Sequence, residues 1–285
     1  MKIVKTKLEM HKESCEQKAK GKQIGLVPTM GFLHEGHISL IEKSKKECDI
    51  TVVSIFVNPV QFGPNEDYLK YPRDFERDRE IASKYEVDYI FFPEKEEMYA
   101  DNHLTYINVE KIEKIMCGKS RPGHFRGVCT VVNKLFNIIE PDRAYFGLKD
   151  YQQLVILRKM VFDFDMNVKI IECETVREED GLAISSRNTY LSKEERQHAN
   201  ILYSTIKRAE KELQEGKTIN QVKNNAIKML KGCSFVKKID YFDIREPDTL
   251  KTVRKINRNI NKVLIAGAVW FGSTRLIDNK IVAIG

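Results

Sequence analysis

The chain has 285 residues, 42% hydrophobic and 31% charged, enough apolar sequence for one large domain or two smaller ones. No run approaches the roughly 18 apolar residues of a membrane span, and the start, Met1-Lys2-Ile3-Val4-Lys5, has no signal-peptide-like apolar segment, so no membrane association is expected. The net charge of +7 raises nucleic acid as a partner, yet lysines interleave with glutamates (Glu42-Lys43-Ser44-Lys45-Lys46-Glu47) as on solvated helix faces, and a basic balance equally suits an enzyme with anionic substrates.

In chain order, Ile24, Leu26 and Val27 predict a strand over 24–27. It runs into Pro28-Thr-Met-Gly-Phe-Leu-His-Glu-Gly-His37 and then an amphipathic helix from Ile38 to about Cys48. Strand, glycine turn and helix start put His34 and His37 beside outward-pointing N–H groups at the positive end of a helix dipole, where phosphate binds. Gly31 and Gly36 let backbone approach such a ligand. Two imidazoles there can donate hydrogen bonds to charge developing on phosphorus, which suggests attack on the α-phosphate of a nucleotide. Zinc is the other reading of two histidines, but a zincin spaces them i, i+4 and no cysteine pair stands nearby.

Further strands are predicted at 50–57, 88–92, 105–109, 142–146 and 168–172, with helices at 74–85, 126–139 and 150–163 between them. The alternation argues for an α/β fold: a mostly parallel sheet with helices on both faces and ligands at the carboxyl ends of its strands. His34, Asn58 and Lys149 all follow predicted strand ends and so share one crevice on this reading. After about Arg187 come two charged helical stretches within 193–231, split by Gly216-Lys217-Thr218, and strands at 236–244 and 262–270. A closing hairpin over Ser273–Ala283, turning near Asp278-Asn279, completes a smaller α+β unit. No Gly-x-Gly-x-x-Gly or Gly-x4-Gly-Lys-Ser/Thr run is present, which argues against a dinucleotide enzyme or a P-loop ATPase. Cys15, Cys48, Cys117, Cys129, Cys173 and Cys233 are scattered without a close pair, as free thiols in a reducing cytoplasm would be.

Other stretches carry chemistry, each with a plainer reading beside it. Asn58 and Gln61, in Phe56-Val57-Asn58-Pro59-Val60-Gln61-Phe62, can each donate and accept, which suits a hydroxyl and a carboxylate together; Asn58 before Pro59 can also simply end a strand. Arg121, in Arg121-Pro-Gly-His-Phe-Arg-Gly127, can clamp a carboxylate or phosphate or stand exposed without a role. In Phe146-Gly-Leu-Lys-Asp-Tyr-Gln-Gln153, Gly147 permits close approach, Lys149 supplies a point charge, and Asp150 can cap the next helix. Ser185-Ser186-Arg187-Asn188 offers hydroxyls and a guanidinium to a polyphosphate, or is an ordinary polar loop. Asp78 is one candidate for positioning Mg²⁺ with ATP, against an i, i+4 ion pair as the default.

Pro28–His37, Ser54-Ile-Phe-Val-Asn-Pro59, Arg121-Pro-Gly-His-Phe125, Lys149-Asp-Tyr-Gln-Gln153 and Val176-Arg-Glu-Glu-Asp-Gly-Leu-Ala-Ile-Ser-Ser-Arg-Asn188, in that order, together resemble the pantothenate synthetase (pantoate–β-alanine ligase) family. The resemblance runs the length of the chain, with fewer motifs in the C-terminal third; His-x-Gly-His alone would mark only the wider nucleotidyltransferase superfamily. It implies a Rossmann-like nucleotidyltransferase domain over 1–175 that binds ATP and pantoate, a smaller C-terminal lid domain over 176–285, and a cytoplasmic homodimer. It also implies two steps: the pantoate carboxylate attacks the α-phosphorus of ATP to give pantoyl adenylate and pyrophosphate, and the β-alanine amine then displaces AMP to give pantothenate. By the same resemblance His34 and His37 meet the phosphates, and Lys149, Ser185, Ser186 and Arg187 hold the β- and γ-phosphates. Met30, Gly147, Asp150 and Val176 complete the ATP site. Asn58, Gln61 and Gln153, with Met30 backbone beside them and Arg121 at the mouth, take pantoate and β-alanine. Mg²⁺ accompanies ATP; the family often has consecutive acidic residues where this chain has Glu76-Arg77-Asp78, which leaves Asp78 alone, or the ATP oxygens with water, to hold the ion. Two rivals remain. Another superfamily nucleotidyltransferase would keep the histidines without needing the acid pocket, and a non-catalytic RNA-binding module would suit the charge but lacks an aromatic–basic stacking platform.

Overall fold

Short apolar runs alternate with longer amphipathic stretches as far as residue 173, and most become a strand or a helix. The computed structural model describes residues 1–64, 66–256 and 260–284. β1 (Lys2–Val4), α1 (Lys7–Ala19), β2 (Ile24–Thr29), α2 (Glu35–Glu47), β3 (Ile50–Ile55), α3 (Phe75–Lys84) and β4 (Tyr89–Phe91) form the first half of an α/β layer. α4 (Lys95–Met98), α5 (Met116–Ser120), α6 (His124–Ile139), β5 (Arg143–Gly147), α7 (Tyr151–Asp163) and β6 (Lys169–Cys173) complete it. The six strands lie in the order β1-β4-β3-β2-β5-β6, all parallel. From β2 the chain steps outward through β3 and β4, then returns to place β5 on the other side of β2. The direction of winding reverses there, and at such a point the loops at the strand ends diverge and leave a crevice.

Burial explains the assignment. Leu26, Val52, Val53, Ile90 and Phe91 are fully buried in the central strands, as expected of a parallel sheet covered on both faces. α6 packs Val128, Val132, Leu135 and Ile139 into the same core. Side-chain caps fix several helix starts: Thr6 accepts from Glu9 N, and Asp74 from Arg77 N.

Two expectations are corrected. Residues 105–109 form no strand: the Ile107 N–H donates to the Thr130 hydroxyl at 3.1 Å instead of to a neighbouring strand, and Val109 is buried as part of a loop. The sixth strand is β1, whose three residues are too few to show a period. Asp278 and Asn279 are likewise no turn; the chain reverses at Gly272, which has φ +58°, and both residues sit in the middle of a strand.

That strand belongs to a second, antiparallel sheet, β7 (Val236–Arg245), β8 (Lys262–Phe271) and β9 (Thr274–Ala283), preceded by α8 (Lys193–His198), α9 (Ile201–Gln214) and α10 (Ile219–Lys231). Successive β8 side chains point to opposite faces. Val263, Ile265 and Val269 join Leu202, Ile206 and Val222 of the helices. Leu264 and Ala266, with Leu250, join the core that contains Leu154 and Phe146 of the first sheet. All six cysteines are free thiols. Among the described residues, no helix is long and apolar enough to cross a membrane.

Candidate active site

The crevice is built first by the turn after β2. Thr29 Oγ1 donates to the Ser54 carbonyl at 2.8 Å and accepts from Gly31 N at 3.1 Å, which ties the strand end to β3. Gly31 has φ +80° and Phe32 φ +53°, two successive left-handed residues. A left-handed conformation is costly for Phe and persists only where something holds it. Asp78 holds it: its two carboxylate oxygens accept the N–H groups of Phe32 and Leu33, each at 2.7 Å. The turn delivers His34 as the N-cap of α2 and His37 one turn on, with their rings stacked at 4.0 Å. Burial, reinforced by Lys149, lowers the His34 pKa to about 4, and burial with the neighbouring His34 holds His37 well below the usual imidazole range. Both rings are therefore neutral at pH 7. His37 Nδ1 accepts from His34 N at 3.3 Å, so its proton sits on Nε2.

The facing wall follows β5. Gly147 ends the strand, a single 3₁₀ turn carries Lys149 and Asp150, and α7 begins. Lys149 Nζ lies 3.7 Å from the Asp150 carboxylate. Asp150 occupies the N-cap position without a side-chain capping bond, so its carboxylate is left to the crevice. Of the two glutamines that follow, Gln152 is buried, accepting from Cys117 N and donating to the Ile112 and Ile115 carbonyls, whereas Gln153 faces the crevice.

A third wall comes from the turn after β3. Asn58, 1% exposed, donates to Gln61 Oε1 and to the Gly127 carbonyl, each at 3.1 Å. Gln61 Nε2 points at Met30 Sδ, 3.0 Å away. Gly127 is glycine for lack of room: a Cβ there would sit 2.5 Å from Gln61 N, Gln61 Cα and Val60 O. Behind Gln61 runs a polar chain. The Gln61 carbonyl accepts from His124 Nδ1 at 2.9 Å, and His124 Nε2 accepts from Arg121 at 3.0 Å. Arg121 is in turn paired with Glu66 at 2.5 and 2.8 Å. Burial and the Arg121 guanidinium push the His124 pKa down to about 3, so this histidine is neutral and its two nitrogens have fixed roles. The next acid pairs in the same way with the loop after Ala183: Asp67 takes Arg187 in a two-pronged pair at 2.7 and 2.9 Å, with the guanidinium 5.5 Å from the centre of the Tyr71 ring.

These walls enclose a cleft of about 240 Å³, large enough for an organic ligand, whereas the hollow between Leu182, Tyr203 and Leu276 holds only about 20 Å³. Residues 2–281 match the family model described as pantoate-beta-alanine ligase. The chain belongs to that family. Its activity is the ligation of pantoate to β-alanine. The ligase is 56% identical to the pantothenate synthetase of Thermotoga petrophila over 99% of this chain and 100% of the relative, and 53% identical to that of Caldicellulosiruptor bescii over 98% and 99%. Among solved structures, the pantothenate synthetase of Thermus thermophilus superimposes with a TM-score of 0.92 at 41% identity, covering 98% of this chain and 99% of that one. A Francisella tularensis pantoate-beta-alanine ligase, complexed with Beta-gamma ATP and β-alanine, gives 0.80 at 37% identity, covering 99% and 97%.

In this ligase the predicted residues converge. Met30, His34, His37, Asn58, Gln61, Arg121, Gly147, Lys149, Asp150, Gln153, Val176, Ser185, Ser186 and Arg187 all line the one cleft. Asp78 does not. Its carboxylate lies behind the wall, bound to two backbone amides, and among the described residues no group of three or more His, Cys, Asp or Glu side chains is placed to hold a metal. The described residues therefore offer no side-chain cluster that would hold a cation without the nucleotide. His124, Tyr71, Glu66 and Asp67 went unassigned in the sequence. His124 alone left a sign there, three residues after Arg121 in the same glycine loop.

Proposed function

We propose that the ligase works through pantoyl adenylate, with ATP as the activating cosubstrate. A carboxylate is a poor acyl donor until one of its oxygens becomes part of a good leaving group, and transfer of AMP to pantoate achieves this. The observation that carries the reading is the convergence of two neutral imidazoles at the start of α2 with Lys149 across the β2–β5 crevice. Phosphate charge is stabilised there by preoriented donors. His34 donates to the α-phosphoryl oxygens as the pantoate oxygen attacks and pyrophosphate leaves. His37 steadies the same group, and Lys149, Ser185, Ser186 and Arg187 hold the leaving pyrophosphate. Gly147, Asp150, Val176 and Met30 backbone receive the nucleoside. Gln61 and Gln153 bind pantoate, with Asn58 fixing the Gln61 amide, and Arg121 stands at the mouth. The β-alanine amine then attacks the activated carbonyl carbon, expels AMP and loses a proton.

Mg²⁺ enters this reading as part of the nucleotide, since among the described residues no cluster of three or more ligating side chains assembles a site for it. We further read residues 1–175 as the catalytic domain and 176–285 as the smaller domain, whose Ser185–Arg187 segment covers the nucleotide, in a cytoplasmic homodimer. Light scattering tests the dimer. The reaction is tested by exchange of labelled pyrophosphate into ATP with Mg²⁺, with and without pantoate, leaving out β-alanine. Exchange that requires pantoate supports the adenylate; exchange without it, or none from a folded sample, overturns it.

A further inference from the structure

β9 carries a polar pair at its centre. Asp278 and Asn279 are only 5% and 9% exposed, and burying such groups is unfavourable unless each is matched. Both are matched. Asp278 accepts the two-pronged guanidinium of Arg177 at 2.7 and 2.9 Å and the backbone N–H of Asn279 at 2.7 Å. Asn279 Nδ2 donates to the Leu148 carbonyl at 2.9 Å and to the Lys149 carbonyl at 2.8 Å. Because both partners are acceptors, the orientation of the amide is fixed: its nitrogen, not its oxygen, faces the turn.

The two carbonyls belong to the peptide units on either side of the Lys149 Cα. A peptide unit is planar, so holding both carbonyl oxygens limits rotation about the two backbone bonds of Lys149 and with it the direction of its Cα–Cβ bond. The 3₁₀ turn and the start of α7 hold this backbone from within the first sheet's layer, while Asp150 adds no side-chain capping bond; Asn279 holds it from the opposite side.

We infer that Asn279 is a positioning residue for Lys149, reaching from the second sheet to aim the ammonium at the nucleotide phosphates. The inference rests on the reading of Lys149 as a phosphate ligand. On this inference a residue of the second sheet sets the direction of a phosphate ligand that the first sheet carries.

A double-mutant cycle in the pantoate-dependent pyrophosphate exchange tests it. Asn279→Ala is expected to lower exchange about 10- to 100-fold, the scale on which an ångström of misplacement acts, with KM for ATP raised and KM for pantoate changed less than about twofold. In the Lys149→Ala background the same substitution is expected to change exchange less than about twofold, because its target is gone. Losses that multiply across the two sites, or an Asn279→Ala enzyme within about twofold of the parent, overturn the inference and leave the reading of Lys149 standing. A Lys149→Ala enzyme with parental exchange removes that reading and the inference with it. Should a thermal melt show Asn279→Ala unfolded, the cycle is run with Asn279→Asp, which keeps the shape and replaces the donor by an acceptor.

Discussion

Asp78 gives the sharpest test of how the first wall is held. It is 1% exposed, and its carboxylate accepts two backbone N–H groups at 2.7 Å, those of Phe32 and Leu33. Asp78→Ala leaves the buried Leu33 amide and the half-buried Phe32 amide without this partner. A hydrogen bond to a charged group contributes about 1.5–3 kcal/mol net, and a stranded buried donor costs about 1–3 kcal/mol. Two opposing effects reduce the sum. The carboxylate is itself unfavourably buried, which raises its pKa, and without it Phe32 can leave its left-handed conformation and recover about 1–2 kcal/mol. The expected loss is about 3–5 kcal/mol for Asp78→Ala. For Asp78→Asn, which keeps one acceptor oxygen but turns an amide group on the second N–H, it is about 2 kcal/mol. Urea denaturation without nucleotide or metal measures both. Exchange activity then follows on the folded fraction, where raising Mg²⁺ tenfold is expected to restore nothing. An Asp78→Asn enzyme with the parental urea midpoint whose activity returns with added Mg²⁺ would refute the account and make the carboxylate a cation ligand.

Gly127→Ala forces a methyl group onto Gln61 backbone already 2.5 Å away; we expect a stability loss of about 1–3 kcal/mol and a rise in KM for pantoate larger than that for ATP, and equal rises would sink the claim that α6 sets Gln61. His34→Ala is expected to slow adenylate formation about 10²–10³-fold with an unchanged melting curve; near-parental turnover would remove it from the phosphoryl step. The three neutral histidines also predict an acid-labile fold. Their folded pKa values are lowered, His34 to about 4 and His124 to about 3, with His37 well below the ordinary value. Between about pH 6.5 and pH 4 the unfolded chain takes up protons that the folded one refuses, so stability falls as pH falls, by up to about 1.4 kcal/mol per pH unit for each group. A urea midpoint as high at pH 5 as at pH 7 would contradict this.

Much of this arrangement is legible in the sequence, because the signals are local. Buried parallel strands appear as apolar runs, and the glycine turns that follow them place His34 and Lys149 at strand ends. What escaped depends on distant partners. The run 105–109 is as apolar as a strand, but a hydroxyl on α6 takes one of its amides. Asp278-Asn279 has turn composition, yet Arg177 and the Lys149 turn, more than a hundred residues away, make a buried polar pair tolerable in mid-strand. The resemblance assigns Gln153 to the pocket and it does face the cleft, whereas the bracing of α5 by its neighbour Gln152 depends on the distant Cys117, Ile112 and Ile115. Asp78 presents the chemistry of a metal ligand, and only the path of Gly31 and Phe32 gives its oxygens other partners.

Strand β8 has a consequence for how the protein can be divided. Leu264 and Ala266 belong to the core of the first sheet, while Val263 and Ile265, their neighbours in the chain, belong to the second. A cut near residue 175 would leave the first half with a bare apolar face where Leu250, Leu264 and Ala266 had been, and the second half with one side of its sheet open to water. Each piece expressed alone is therefore expected to be less stable than the intact chain, which urea denaturation of the separate pieces would check. Leu250, Leu264 and Ala266 thus tie the second sheet to the first through a shared apolar core.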